Sequence, residues 1–302
     1  MRHAHTRSTR RISESQPSGG GRPQRSTFIR VSARAACSAL IVVLAAGAVA
    51  AQQGGQAQTQ TPFEPQVGQA GKDVVWVPTA EALVEKMLDL AKITPQDFVM
   101  DLGSGDGRNV IAAAKRGARA VGVEFNPEMV ELSRQNAAKA GVSDRATFVE
   151  GDMYEADISK ASVMALFLLP SNMLQLRPKF LDLRPGSRIV SNTFGIEGWT
   201  PDETVTIEGG CSAWCTALLW IVPAKVAGKW QLGDGELMLE QDYQMLTGML
   251  DGKPIANGRL RGDQIRFVVG TTEYTGKVNG NRINGSLRGG GPATGWSATR
   301  LN

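Results

Sequence analysis

Three glycines inside a five-residue turn, Gly103, Gly105 and Gly107, most constrain what this chain folds into. A short apolar run, Phe98 to Met100, ends in Asp101 just before them. A helical pattern with Val110, Ile111 and Ala114 follows, and a second apolar run, Ala120 to Val123, ends in Glu124. Strand, glycine loop, helix, strand and acid make one βαβ unit of the kind that binds a nucleotide-like ligand. Glycine lets the backbone approach a ligand where a Cβ would clash. Glu124 stands 21 residues beyond Gly103, where a carboxylate can accept hydrogen bonds from both ribose hydroxyls.

Two ligand classes share this plan. The NAD fingerprint G-x-G-x-x-G fits Gly103 and Gly105, but its last position is Arg108. The wording D-L-G-S-G-D-G, residues 101–107, begins instead with an acid. It resembles motif I of the class I S-adenosylmethionine (SAM) methyltransferases. That resemblance implies SAM as cofactor, held by Asp101, Gly103, Ser104, Gly105 and Glu124. Asp101 would help hold the cationic amino-acid end, in part through water. Asp152, at the end of the expected strand 146–149, fits the acid that bonds the adenine amino group in such enzymes, and the backbone of Met153 the group that reaches a ring nitrogen.

The chain has 302 residues, enough for one or two domains, and a net charge of +4. That charge is local. Residues 1–51 hold eight Lys and Arg against one acid, whereas the remainder holds 25 against 28. The folded part is therefore slightly acidic, and no nucleic-acid partner is expected. Residues 1–34 read as disordered, and 35–51 form an apolar run closing on Ala48-Val49-Ala50. A basic region, a short apolar core and an A-x-A site read as a secretory signal. An uncleaved anchor is the alternative, and would be the chain's one membrane contact. Export to the periplasm or anchoring in the inner membrane follows from these readings; a start downstream of Met1 would leave the protein cytoplasmic. Residues 52–72 read as a disordered Gln/Gly/Pro linker.

Both histidines, His3 and His5, lie in the leader, which excludes Ser-His, Cys-His and His-metal chemistry from the folded part. No four-ligand metal set is present in the sequence, and no metal is expected. Cys211 and Cys215 lie four residues apart on one expected strand, a spacing awkward for a mutual bridge, so buried free thiols are expected.

In chain order, Thr79 is placed to cap a helix running to about Ala91. Asn126-Pro127-Glu128 is a strong helix start: cap, first-turn proline and acid. Residues 161–169, ASVMALFLL, read as a buried strand ending in Pro170-Ser171-Asn172, with Ser171 a candidate cap for the next helix. Strands follow at 187–194, 204–207 and 217–222, the last two as an antiparallel pair. The expected fold is α/β: a doubly wound, seven-stranded Rossmann-like sheet over residues 73–224, followed by a small antiparallel β-meander or half-barrel over 225–302.

VWVPT (75–79), residues 101–127, the FLLP-SN turn (167–172) and LRPGSRIVSNTF (183–194) resemble one branch of class I methyltransferases. That branch includes mitochondrial protein-lysine methyltransferases and bacterial relatives. The resemblance implies methyl transfer to an amine, with protein lysine as the acceptor. It places Phe167, Pro170 and Asn172 at the acceptor, because ligands bind at the carboxyl ends of parallel strands. It also places Thr79 at the cofactor. Trp76 is either a wall over the methionine end of SAM or a packing residue. Members usually carry Tyr at the position of Phe167. Two other readings remain open: a small-molecule methyltransferase, and an exported binding module on the same fold.

The C-terminal part carries a repeat, G-x-Φ-x-G-x-x-I with Φ apolar, beginning at Gly248, Gly258 and Gly276. Each copy ends one strand, turns, and starts the next with an inward Ile. Leu237, Leu239, Tyr243 and Met245 suit alternating strands, and Trp230 and Trp296 are candidates to plug the two ends. No catalytic constellation is visible there.

Overall fold

The computed structural model describes residues 63–301. The leader and the first part of the linker lie outside the described residues.

The core element is the expected βαβ unit. Strand β1 (Phe98–Leu102) leads through the glycine loop into α2 (Arg108–Lys115), then β2 (Arg119–Glu124). Helix α1 (Glu81–Leu90) precedes it. Helix α3 (Pro127–Lys139), β3 (Ala146–Glu150), β4 (Val163–Leu166), α4 (Pro170–Leu181) and β5 (Arg188–Asn192) follow, then β6 (Glu203–Thr206) and β7 (Thr216–Ile221). The sheet order is β3-β2-β1-β4-β5-β7-β6, with β7 antiparallel to both neighbours. This is the expected doubly wound, seven-stranded sheet.

Alternation along each strand builds two apolar layers. Val99, Val163, Ala165, Val190 and Leu219 face one layer with buried residues of α1, α2 and α3. Met100, Met164, Leu166, Ile189 and Leu218 face the other, with Met173, Leu176 and Phe180 of α4. Every central strand is therefore covered on both sides, which is why these strands read as continuous apolar runs.

Helix entries differ in part from the expected ones. Asn126 caps α3 as expected, accepting from the Glu128 N–H at 2.9 Å, with Pro127 in the first turn. Thr79 does not cap α1: Ala80 holds that position without a side-chain bond. Thr79 is instead buried, its hydroxyl accepting from Asn192 Nδ2 at 3.2 Å. Ser171 does not cap α4 either, because the helix opens one residue earlier on Pro170, whose fixed φ and missing N–H suit a first turn. The end of the expected linker is ordered. Gly68 N–H donates to the Trp76 carbonyl and Trp76 N–H to the Gln69 carbonyl, closing a turn over residues 68–76.

The C-terminal part closes fully. Strands β8 (Gly228–Leu232), β9 (Gly235–Asp242), β10 (Met245–Leu250), β11 (Lys253–Arg261), β12 (Gln264–Val269), β13 (Thr272–Asn279), β14 (Arg282–Arg288) and β15 (Thr294–Arg300) form an eight-stranded antiparallel barrel. Pairing of β15 with β8 joins its ends, so it is a barrel and not a half-barrel. Closure removes both edges. In the repeat, the second glycines, Gly252, Gly262 and Gly280, take positive φ in the hairpin turns. The first glycines pack against a neighbouring strand; a Cβ on Gly248 would collide with the Met238 carbonyl. Ile265 and Ile283 point inward and are buried, whereas Ile255 is half-buried. Trp230 and Trp296 are both part of the barrel core.

Two residues assigned to alternating strands behave otherwise. Met245 is exposed and Leu246 takes the inward place. Tyr243 sits at positive φ in the β9–β10 turn and stacks on Trp199, centroids 5.4 Å apart. That stack, the Arg259–Asp202 ion pair at 2.7 Å and the Gln244 side chain donating to the Thr200 carbonyl at 2.7 Å hold the barrel against the sheet domain.

Candidate active site

The glycine loop folds back on the end of β2. Both Gly103 and Ser104 donate their N–H to the Val123 carbonyl. Gly103, Gly105 and Gly107 have φ of 70°, 55° and 84°, which only glycine adopts without strain. Gly105 has a second requirement: a Cβ there would lie 2.8 Å from Trp76 Nε1. Gly122 on β2 is needed as well, because a Cβ would meet Ser104 Oγ at 2.5 Å.

Glu124 does two things at once. Its Oε2 accepts from Gly105 N–H at 2.9 Å and its Oε1 from Asn126 N–H at 3.0 Å. The carboxylate thus anchors the loop and starts α3. Each oxygen keeps lone-pair capacity for a ribose hydroxyl.

Asp101 is only 3% exposed. Asn109 Nδ2 donates to its Oδ2 at 3.1 Å, and no cation pairs with it among the described residues. Burial pushes its carboxyl well above the ordinary value, opposed by the Asn109 bond and reinforced by the charges of Glu124 and Asp106. A buried acid without a cation is costly unless a ligand supplies one. The Ser104 hydroxyl is buried and has no partner among the described residues.

These groups line one cavity of about 230 Å³. Asp101, Gly103, Ser104, Gly105, Glu124, Asp152, Met153, Trp76, Thr79 and Phe167 all border it, so all the expected cofactor residues converge. Trp76 is half-buried over the loop as a wall. Asp152 is bonded by Lys72 Nζ at 2.5 Å and by Tyr154 N–H at 2.8 Å, and the Lys72 bond is the first cause holding its carboxyl below the ordinary value. Pro170 and Asn172 do not border the cavity. Pro170 is exposed in the first turn of α4, and Asn172 is buried with its amide donating to the Tyr154 hydroxyl at 2.6 Å.

The cavity also collects residues not anticipated in sequence. Asn109 holds Asp101; its place in the first turn of α2, eight residues on, was the available signal. Lys72 reaches Asp152 from the supposed linker, and also lies 5.0 Å from the Phe125 ring centre. Phe194 stacks on Phe167 at 6.0 Å, and Trp214 meets Phe167 at 6.0 Å from the far side of the chain. Trp214 lies between Cys211 and Cys215, which form a disulfide with Cα atoms 5.7 Å apart. The expectation of buried thiols fails because this segment is a largely exposed loop before β7, not a strand, and a turn brings the two Cα atoms within bridging range.

The cradle fits SAM: glycines that admit a ligand backbone-close, an acid for the ribose, and a buried carboxylate lacking a cation. Fold and site together define a class I SAM-dependent methyltransferase, with SAM as its cofactor. Residues 101–203 match the family model of the ANTKMT methyltransferase domain. A protein-lysine N-methyltransferase of Saccharolobus islandicus is 46% identical over 140 residues, which are 45% of this chain and 87% of that protein. The adenine nucleotide translocase lysine N-methyltransferase of Mus musculus is 36% identical over 143 residues, 47% of this chain and 62% of that protein. The chain belongs to the family of protein-lysine N-methyltransferases. It spans most of the archaeal relative's length but less than two thirds of the mouse one. A solved structure of an RNA methyltransferase from Salinibacter ruber with S-adenosyl-L-homocysteine is 46% identical, covering 50% of this chain and 96% of that chain at a TM-score of 0.47.

Proposed function

We propose that this enzyme methylates the ε-amine of a lysine in a protein. The observation that carries the reading is one cavity lined both by the buried Asp101, which no cation pairs among the described residues, and by the aromatic rings of Phe167, Phe194 and Trp214. When bound, SAM supplies a sulfonium-activated methyl, which passes to the neutral acceptor nitrogen with loss of S-adenosylhomocysteine and one proton.

The chain's own residues bind and orient. Asp101 takes the cationic amino group, and Glu124 the ribose hydroxyls. Asp152 and Met153 border the cavity beside Glu124, where the base would lie. The rings of Phe167, Phe194 and Trp214 make an aromatic wall for the acceptor nitrogen, which sheds its proton before it attacks. No side-chain base is needed, since alignment and water exclusion account for such transfers. The absence of histidine from the folded part is consistent with this. The slightly acidic folded part disfavours an RNA acceptor.

Incubation of the full chain with tritiated-methyl SAM and either poly-L-lysine or total RNA tests the reading. Label on lysine is expected. Label in RNA alone, or in neither while SAM binds, overturns the lysine acceptor.

We further infer an oxidising working compartment. The Cys211–Cys215 disulfide supports it, since such bridges persist outside the reducing cytosol, as does the signal-like leader.

A further inference from the structure

The loop between β6 and β7 is cross-linked by Cys211–Cys215 and carries Trp214, next to Cys215, with φ of 55°. A bulky residue in the left-handed region is disfavoured and persists where its surroundings impose it. Trp214 is also 45% exposed, so burial does not account for its placement. Because β7 runs antiparallel to β5, the segment before β7 lies at the same edge as the carboxyl end of β5. The cavity is lined from that end of the sheet, by residues that follow β1, β2, β4 and β5.

Two backbone bonds tie this loop to the turn after β5 and to the end of β6: Thr193 N–H donates to the Thr216 carbonyl at 2.7 Å, and Ile207 N–H to the Cys215 carbonyl at 2.9 Å. Thr193 also has positive φ, 55°, and the next residue is Phe194. Two irregular segments, bonded to each other, therefore present Phe194 and Trp214 to Phe167. Phe167 stands between them, at 6.0 Å from each ring. All three rings border the same cavity as Asp101.

Aromatic faces attract alkylammonium groups, and do so more strongly when partly desolvated. In amine methylation the positive charge arrives on nitrogen as the methyl does, so ring faces gain value at the transition state and toward the methylated product. We propose that Trp214 is an acceptor-recognition residue. With Phe167 and Phe194 it forms an aromatic wall for the alkylammonium end of the acceptor, and the Cys211–Cys215 disulfide holds it there. This rests on the methyltransferase reading and deepens it. Reduction by a dithiol, which is itself oxidised to its disulfide, yields two thiols and releases the loop. Acceptor recognition is then lost while the SAM site remains.

The probe is choline, compared with its uncharged isostere 3,3-dimethylbutan-1-ol. Each is titrated into oxidised full chain saturated with S-adenosylhomocysteine, following the tryptophan indole N–H resonances by NMR. The Trp214 signal is identified by its loss in Trp214→Phe. We expect the Trp214 signal to shift and choline to bind about tenfold tighter than the isostere. Trp214→Leu should weaken choline about tenfold and Trp214→Phe only about threefold. Dithiothreitol, or the Cys211→Ser/Cys215→Ser pair, should weaken choline by a similar factor. Equal binding of choline and the isostere, or choline binding unchanged by Trp214→Leu or by reduction, overturns the proposal. S-adenosylhomocysteine titrated into the same samples separates the two levels. Failure of the oxidised wild-type chain to bind it sinks the methyltransferase reading itself; binding retained without Trp214 dependence sinks this inference alone.

Discussion

Asn109 Nδ2 donates to Asp101 Oδ2 at 3.1 Å, and with that bond the first turn of α2 holds the buried carboxylate at the end of β1. The bond favours the charged form that burial disfavours. Asn109→Ala should therefore raise the Asp101 pKa further. SAM affinity at neutral pH should fall about tenfold, and the acid limb of a binding-versus-pH curve should move to higher pH. Calorimetric titration of both proteins across pH checks this. An unmoved acid limb would mean that Asn109 does not set the charge state of Asp101.

Glu124 joins the glycine loop to the start of α3 through Gly105 N–H and Asn126 N–H. Its removal should cost stability as well as SAM binding. Glu124→Ala is expected to destabilise the SAM-free protein by about 1–3 kcal/mol, with Glu124→Gln losing less because one acceptor oxygen remains. Chemical denaturation without ligand measures it. Equal stability of wild type and Glu124→Ala would assign this carboxylate to the ligand alone.

Gly105 combines a φ of 55° with the close approach of Trp76. Gly105→Ala should both strain the loop, by about 1–2 kcal/mol, and displace Trp76. Indole fluorescence of the SAM-free protein should change, and SAM affinity should drop at least tenfold. Gly141→Ala is a control of the same kind without a crowding neighbour, since its Cβ would meet nothing within 4 Å. It should lose stability and leave SAM binding intact.

Much of this site was legible in sequence because it is local. Glycine spacing, the acid at Asp101 and the acid at Glu124 all belong to one βαβ unit, whose geometry follows from short-range rules. The central strands were legible for a related reason: strands covered on both faces are apolar nearly throughout. What was not legible depends on distant parts of the chain. Phe194 reaches Phe167 because β5 runs parallel beside β4, and Trp214 because β7 reverses direction beside β5. Cys211 and Cys215 look awkward to bridge on a strand and are bridged because the segment is a loop. Thr79 reads as a cap from its neighbours, yet tertiary bonding to Asn192 takes its hydroxyl. Barrel closure is set by β15 meeting β8, a pairing that no single repeat reveals.

Tyr243 shows the same lesson from the barrel side. It reads as a strand residue, but stacks on Trp199 within 5° of parallel and helps hold the barrel to the sheet domain. Tyr243→Ala should lower stability by about 2 kcal/mol. SAM affinity should not change, because the stack lies outside the cavity. Thermal melts with and without SAM separate the two effects.

The most direct test of the account compares wild type with Asp101→Asn. The carboxyl of Asp101 is raised in the fold above its ordinary 3.8. A raised carboxyl contributes stability that is fully present below the unfolded value and is lost as pH rises through the folded one. At neutral pH, well above the ordinary value, Asp101 therefore burdens the SAM-free fold. Asp101→Asn should melt at a higher temperature than wild type at pH 7 and no longer bind SAM in a calorimetric titration. Wild type should bind SAM, and below the raised pKa each binding event should release a proton, seen as a dependence of the heat on buffer ionisation enthalpy. Undiminished SAM binding by Asp101→Asn, or no SAM binding by the folded wild type, would contradict the account.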